Sequence, residues 1–99
     1  MTNNVLRLTP LKETWYRMIE SGVKTEEYRE IKKFYDVRIL DKDGNIKHYD
    51  LVTLYNGYKK NRPSMIFKVK EIVIAEGRPE WGAEKGQKYY VIRLGDRIK

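Results

Sequence analysis

The 99-residue sequence predicts an α+β fold: a small β-barrel, closed or partly closed, with one principal N-terminal helix. Three observations predict it. Leu11, Trp15, Met18 and Ile19 fall at helical spacing and form a single apolar stripe. The rest of the chain divides into five to seven short runs in which apolar and polar residues tend to alternate, the pattern of strands with one buried face. The helix disfavours an all-strand sandwich, and closure into a barrel removes the exposed edges that short strands otherwise leave.

Residues 5–9 read as the first strand. Pro10 suits the first turn of a helix, where its missing N–H costs nothing, with Thr9 as the cap. The helix is expected over residues 10–21, and Ser21-Gly22 ends it. Glu13 and Arg17 face water four residues apart, in the favourable order. Trp15 reads as a core anchor. Residues 25–31 look extended, with Thr25, Glu27, Arg29 and Ile31 on one face. Residues 34–40 alternate and read as a strand. Asp43-Gly44 signals a hairpin whose return strand is residues 46–50, with His48 exposed on it.

Residues 51–55 form the next candidate strand, and 56–63 a polar loop. Residues 64–75 alternate, but the apolar positions change face near Glu71, so a bulge or bend is expected. Residues 77–86 read as a loop in which Trp81 covers the core; 89–94 is the last strand, and 95–99 a charged tail. The length suits one domain over residues 1–99. It excludes a doubly wound nucleotide-binding domain with a substrate domain, and a barrel of eight strand–helix units, which takes about 250 residues.

Composition narrows the chemistry. Cysteine is absent and His48 is the only histidine, so a disulfide, a thiolate nucleophile, a cysteine zinc site and a multi-histidine site are all excluded. Carboxylate coordination of magnesium or calcium stays open with 14 Asp and Glu, but the turn at 41–45 lacks the later acidic ligands and flanking helices of a calcium loop. No cofactor and no metal are expected. The first ten residues lack the apolar run of a secretory signal, and no run approaches the roughly 18 apolar residues of a membrane span; a cytoplasmic protein without a membrane partner is expected.

The net charge of +7 is concentrated. Residues 32–70 carry ten basic and four acidic groups, whereas the flanking segments are nearly balanced. Such a field attracts phosphate backbones without reading sequence. Tyr49, Tyr55, Tyr58, Tyr89 and Tyr90 are interleaved with basic residues, a pattern suited to stacking on bases while charges hold phosphates, although strand tyrosines also cover half-buried faces. Tyr58, Lys59, Lys60 and Arg62 stand out because they lie in a loop.

The segment 21–30 carries Gly22, Lys24, Glu27 and Arg29 in the pattern G-x-K-x-x-E-x-R, directly after the predicted strand-Pro-helix unit. Over residues 5–31 the sequence resembles the ASCH family, small domains with a PUA-like fold. The resemblance implies a pseudo-barrel with a cleft lined by the motif residues. It also implies binding of RNA or a modified nucleoside, with Lys24, Glu27 and Arg29 at the family's lysine, acidic and basic positions. A subset of the family are metal-independent amidohydrolases acting on N4-acetylcytidine. In that subset a nucleophilic threonine stands where this sequence has Glu27. A hydrolase of that kind would here draw on Lys24, Thr25, Glu27 and Glu71.

The residues themselves support two readings. Glu27 and Arg29, two apart on an extended segment, can share a cleft, where Lys24 and Arg29 hold a phosphate or polarise a carbonyl and Glu27 accepts from a base amine. The same three can also form a charge network that ties down the helix–strand turn. The expected function is an RNA-binding module with a small basic cleft, using Lys24, Glu27, Arg29, Tyr58, Lys59, Lys60 and Arg62. The alternatives are a hydrolase of a modified nucleobase or nucleoside and a protein-interaction module.

Overall fold

In chain order the protein forms β1 (Val5–Arg7), α1 (Glu13–Glu20), β2 (Glu26–Glu30), α2 (Lys33–Ile39), β3 (Leu51–Tyr55), β4 (Ser64–Glu76), a short 3-10 turn (Pro79–Trp81) and β5 (Lys88–Arg97). This is a computed structural model, and it describes residues 4–58 and 61–99. The strands make one curled, open sheet, a half-barrel, in the order β1-β3-β4-β5-β2. Only β1 and β3 run parallel; the other pairs are antiparallel. The sheet does not close: β1 and β2 are its two edges.

The concave face holds the main core. Leu6, Val52, Leu54, Met65, Phe67, Ile92 and Leu94 from the strands pack with Leu8, Leu11, Tyr16 and Ile19. Residues directly opposite in an antiparallel pair share a face, so the register Glu27↔Ile92 and Arg29↔Tyr90 puts Glu27 and Arg29 on this inner face. Glu26, Tyr28 and Glu30 lie on the outer one, opposite Arg93, Val91 and Tyr89. Strand β4 changes sides partway, as the sequence pattern predicts. Its register shifts between Phe67 and Glu71, so Met65 and Phe67 face inward before the shift and Ile72 and Ile74 after it.

Helix α1 begins later than its sequence suggests. Lys12 is the N-cap, with extended backbone and no side-chain cap, and the helix starts at Glu13 rather than at Pro10 with Thr9 as cap. Thr9 is committed elsewhere, to hydrogen bonds with Arg29 and Tyr35. Within the stripe Leu11 and Ile19 are buried and Trp15 and Met18 half-buried; Tyr16, outside the stripe, is buried as well. The stop at Ser21-Gly22 is as expected: Gly22 takes φ +86°, and its N–H bonds Ile19 O.

The segment 34–40 is a helix, not a strand. Tyr35, Val37 and Ile39 fit a period of two, but Tyr35 and Ile39 are also four apart, and a run this short satisfies both periods. The helix wins because Tyr35 and Ile39 bury together against Tyr90, while Phe34, Val37 and Arg38 stay exposed. Asp36 in its first turn and Arg38 in its last suit the helix dipole, and the Tyr90 hydroxyl donates to Asp36 Oδ1, fastening the helix to β5. The expected hairpin is correspondingly reduced. Asp41 Oδ1 accepts from the N–H groups of Asp43 and Asn45, making the turn, but only one bridge, Leu40↔Ile46, joins its arms, and 46–50 is not a strand. Strand β5 extends to Arg97, absorbing residues 95–97 of the expected tail.

A second, smaller core sits on the outer face, where residues 77–86 fold over Tyr28, Tyr89 and Val91 with Ala83 at the centre. This loop is pinned by hydrogen bonds from Arg78 N to the Tyr28 hydroxyl (2.9 Å) and from Glu84 N to the Tyr89 hydroxyl (2.8 Å). Among the described residues no helix is long and apolar enough to cross a membrane.

Candidate functional site

The motif residues meet because the turn after α1 is itself hydrogen-bonded. Lys24 N–H donates to Met18 O (3.0 Å), which folds the chain back under the helix end and turns the Lys24 side chain inward. Strand β2 then brings Glu27 and Arg29 to the same side. Lys24 Nζ lies 2.7 Å from Glu27 Oε1, and Arg29 Nη2 lies 2.6 Å from Glu27 Oε2, so one carboxylate bridges two cations. All three are buried, with exposures of 2%, 6% and 8% for Lys24, Glu27 and Arg29.

Lys24 is committed within the fold. It also donates to Glu26 O (2.8 Å), and its ammonium lies 5.0 Å from the Tyr28 ring centroid and 5.7 Å from that of Trp15, both within cation–π range. It underlies the site and does not line it. Arg29 reaches further. Its Nη1 donates to Thr9 Oγ1 and to the Tyr35 hydroxyl (3.2 Å), and those two oxygens bond each other at 3.0 Å. Burial disfavours the charged guanidinium, but Glu27 and the Tyr35 hydroxyl outweigh it and raise the Arg29 pKa. Burial likewise pushes the Tyr35 phenol up. Hydrogen bonds from Thr9 and Arg29, with the charges of Arg29 and Lys32, more than offset that and hold it below its ordinary value.

Above this group opens a cleft of about 480 Å³. Glu27, Arg29 and Tyr35 reach it from β2 and α2, and Trp15, Tyr28, Trp81 and Tyr89 supply further aromatic lining. Lys12, Glu30, Lys32 and Glu84 also line it. Its shape depends on Gly82, which takes φ +102° and whose added Cβ would come within 3.0 Å of the Trp15 ring; the loop backbone therefore lies directly against Trp15. The wall of the cleft near α1 is tied to Gly57, because Leu11 lines the cleft and its carbonyl accepts from Gly57 N–H (3.1 Å).

The structure thus unites Lys24, Glu27 and Arg29 and leaves other sequence candidates outside. Thr25 is exposed and does not line the cleft. Glu71 is exposed on the outer face, where Arg93 joins it to Glu26 at 2.8 and 3.1 Å. A hydrolytic group of Lys24, Thr25, Glu27 and Glu71 is not assembled, because Glu71 pairs opposite Arg93 and so faces away from Glu27. In the basic loop Tyr58 is 81% exposed, whereas Arg62 is half-buried with its guanidinium 4.2 Å from the Tyr55 ring centroid. Lys59 and Lys60 lie outside the described residues. Tyr89 and Tyr90 are buried, and the Tyr49 hydroxyl donates to Arg38 O, so of the interleaved tyrosines only Tyr58 is freely exposed.

The sequence reading does not single out Thr9, Tyr35 or Lys32 for the site, nor Trp15, Tyr28 and Trp81 as cleft walls. Tyr35 was hidden by the strand-like alternation of its segment. Thr9 looked like a helix cap, and Trp81 like a cover for the core. Among the described residues no group of three or more His, Asp or Glu is placed to hold a metal ion. Comparison of the chain with protein-family models, with curated proteins and with solved structures finds no match.

Proposed function

We propose that this chain is an RNA-binding module of the ASCH, PUA-like kind, in which the cleft receives one unstacked nucleotide and the basic surface holds the flanking backbone. The observation that carries the reading is an aromatic-lined cleft built over a buried cation–carboxylate–cation group. Sequence-specific RNA recognition works mostly on splayed single-stranded bases, stacked on aromatic rings and hydrogen-bonded at their edges. A cleft of about 480 Å³ falls in the range of small-ligand sites. The net charge of +7 supplies the nonspecific part of the affinity. The half-barrel and the G-x-K-x-x-E-x-R motif are consistent with the ASCH resemblance.

The hydrolase alternative has less support, since neither Thr25 nor Glu71 reaches the cleft. Turnover of N4-acylated cytidines by the purified protein would restore it. A protein-interaction module would instead bind through an apolar patch, with little response to salt.

The test is a titration of single-stranded and structured RNA at several salt concentrations. It compares wild type with Lys32→Ala at the cleft and with a Lys59→Ala/Lys60→Ala/Arg62→Ala triple variant. The triple variant should flatten the dependence of log K on log salt by about 2, because each lost phosphate contact on a single strand contributes roughly 0.7. Lys32→Ala should weaken binding and alter base preference. Affinity equal to that of an unrelated protein of the same charge, or identical salt-insensitive curves for all three proteins, would defeat the reading.

A further inference from the structure

The floor of the cleft has an unbalanced inventory of charge and protons. Lys24, Glu27 and Arg29 together carry one net positive charge, and both Glu27 oxygens already accept from a cation. An uncompensated buried charge is costly, so a ligand that brings a negative group here relieves it. The donors tell the same story. Arg29 Nε is buried and has no partner among the described residues. Arg29 Nη1 serves Thr9 and Tyr35 at once, and those two hydroxyls bond each other with a single proton. One hydroxyl proton is left over. Tyr35 lines the cleft, so its oxygen can accept from Arg29 and Thr9 and turn its own O–H toward a ligand.

We propose that Arg29 and Tyr35 form an oxyanion site that takes a terminal phosphate monoester, with the attached nucleoside held among the aromatic walls. The proposal rests on the reading that the cleft receives a nucleotide, and names the group that reaches its floor. Arg29 is more than nine-tenths buried, so a chain end reaches it where a strand continuing in both directions does not. A monoester carries a charge of about −1.5 to −2 at neutral pH, more than a backbone diester, and the guanidinium fork suits its oxygens. Lys12 and Lys32 line the cleft with the same sign. Glu30 is within 4.0 Å of Lys32, and Glu84 stands on the loop wall, so both set a limit to where negative charge is favoured. The phosphate has two sources, the end of an RNA strand or a free nucleotide.

The experiment titrates the full chain with a short single-stranded RNA carrying a 5′-phosphate, a 3′-phosphate or neither. Uridine 5′-monophosphate, uridine 3′-monophosphate and uridine are titrated alongside. One phosphorylated end should bind at least tenfold more tightly than the unphosphorylated strand. Tyr35→Phe should reduce that preference about tenfold, as expected for one lost hydrogen bond to a charged group. Arg29→Lys, which keeps the charge but loses the fork and Nε, should abolish the preference. Should that variant not fold, Tyr35→Phe and Lys32→Ala carry the comparison. Equal affinity of all three strands overturns the oxyanion site and leaves RNA binding standing. Tight binding of a monophosphate, with no RNA bound above a charge-matched control, keeps the oxyanion site and overturns the RNA reading. An undiminished preference in Tyr35→Phe removes Tyr35 from the site.

Discussion

Replacing Glu27 with Gln tests the whole architecture of the site, because Glu27 is the single anion between two buried cations. Its oxygens lie 2.7 Å from Lys24 and 2.6 Å from Arg29, and all three side chains are more than nine-tenths buried. The amide keeps the shape and one acceptor but loses the charge, leaving two cations facing a neutral group. Removing one partner of a buried ion pair typically costs about 3–5 kcal/mol. The lower end applies here, since Lys24 keeps Glu26 O and two aromatic faces and Arg29 keeps Thr9 and Tyr35. For a domain of this size about 3 kcal/mol corresponds to a melting-temperature fall of roughly 12–24 °C. Thermal and urea unfolding would measure it, with Glu30→Gln as an exposed control expected within about 0.5 kcal/mol of wild type. Lys24→Met sharpens the comparison. It should destabilise the wild-type protein, where Glu27 loses one of its two cations. In the Glu27→Gln background it should stabilise, because it removes an orphaned charge. A Glu27→Gln cost under about 1 kcal/mol, or the same Lys24→Met effect in both backgrounds, would show that the three charges are not coupled.

Other positions give independent checks. Gly82→Ala should cost about 1–3 kcal/mol, since it combines a left-handed backbone with a Cβ 3.0 Å from Trp15, and a shifted Trp15 fluorescence spectrum should accompany the loss. Tyr28 and Tyr90 are held up to about 12, chiefly by burial and then, at Tyr90, by Asp36. Their contribution is therefore intact below the unfolded value near 10 and is lost as pH rises toward 12, which urea midpoints across that window would show as a steady decline. Tyr35, lowered instead, contributes with the opposite sign and below that window: stability rises as pH climbs through its lowered value toward 10, and Tyr35→Phe should remove that rise.

The sequence made the strands and the first helix legible because their periodicity is set by a single buried face. The change of face in β4 is readable for the same reason: Met65 and Phe67 at odd positions give way to Ile72 and Ile74 at even ones, and only an irregularity keeps both pairs inward. Helix α2 was not legible, because seven residues hold too few apolar positions to separate a period of two from one of 3.6. Its choice is made by Ile72 and Tyr90, more than 30 and more than 50 residues away along the chain, which no local pattern records. The barrel did not close for a related reason. Residues 34–40 and 46–50, expected as strands, became a helix and a coil, and the two strands that closure needed are absent.

The site was partly legible because its spacing has a geometric meaning. Gly22 ends α1 in the left-handed conformation, and Lys24 then sits in the turn, where its N–H bonds back to Met18 and its side chain enters under the helix. Glu27 falls at the second position of β2 and Arg29 at the fourth, so both point to the inner face with Glu27 between the two cations. Moving Glu27 by one residue would put it on the outer face beside Arg93 and leave Lys24 and Arg29 without an anion. The pattern therefore describes a charge relay into the fold: Lys24 positions Glu27, Glu27 positions Arg29, and Arg29 alone of the three has an unpartnered buried nitrogen among the described residues. The sequence reading gave Lys24 and Arg29 equal parts in contacting a ligand. The structure separates them, with the lysine spent on the fold and the arginine left at the cleft.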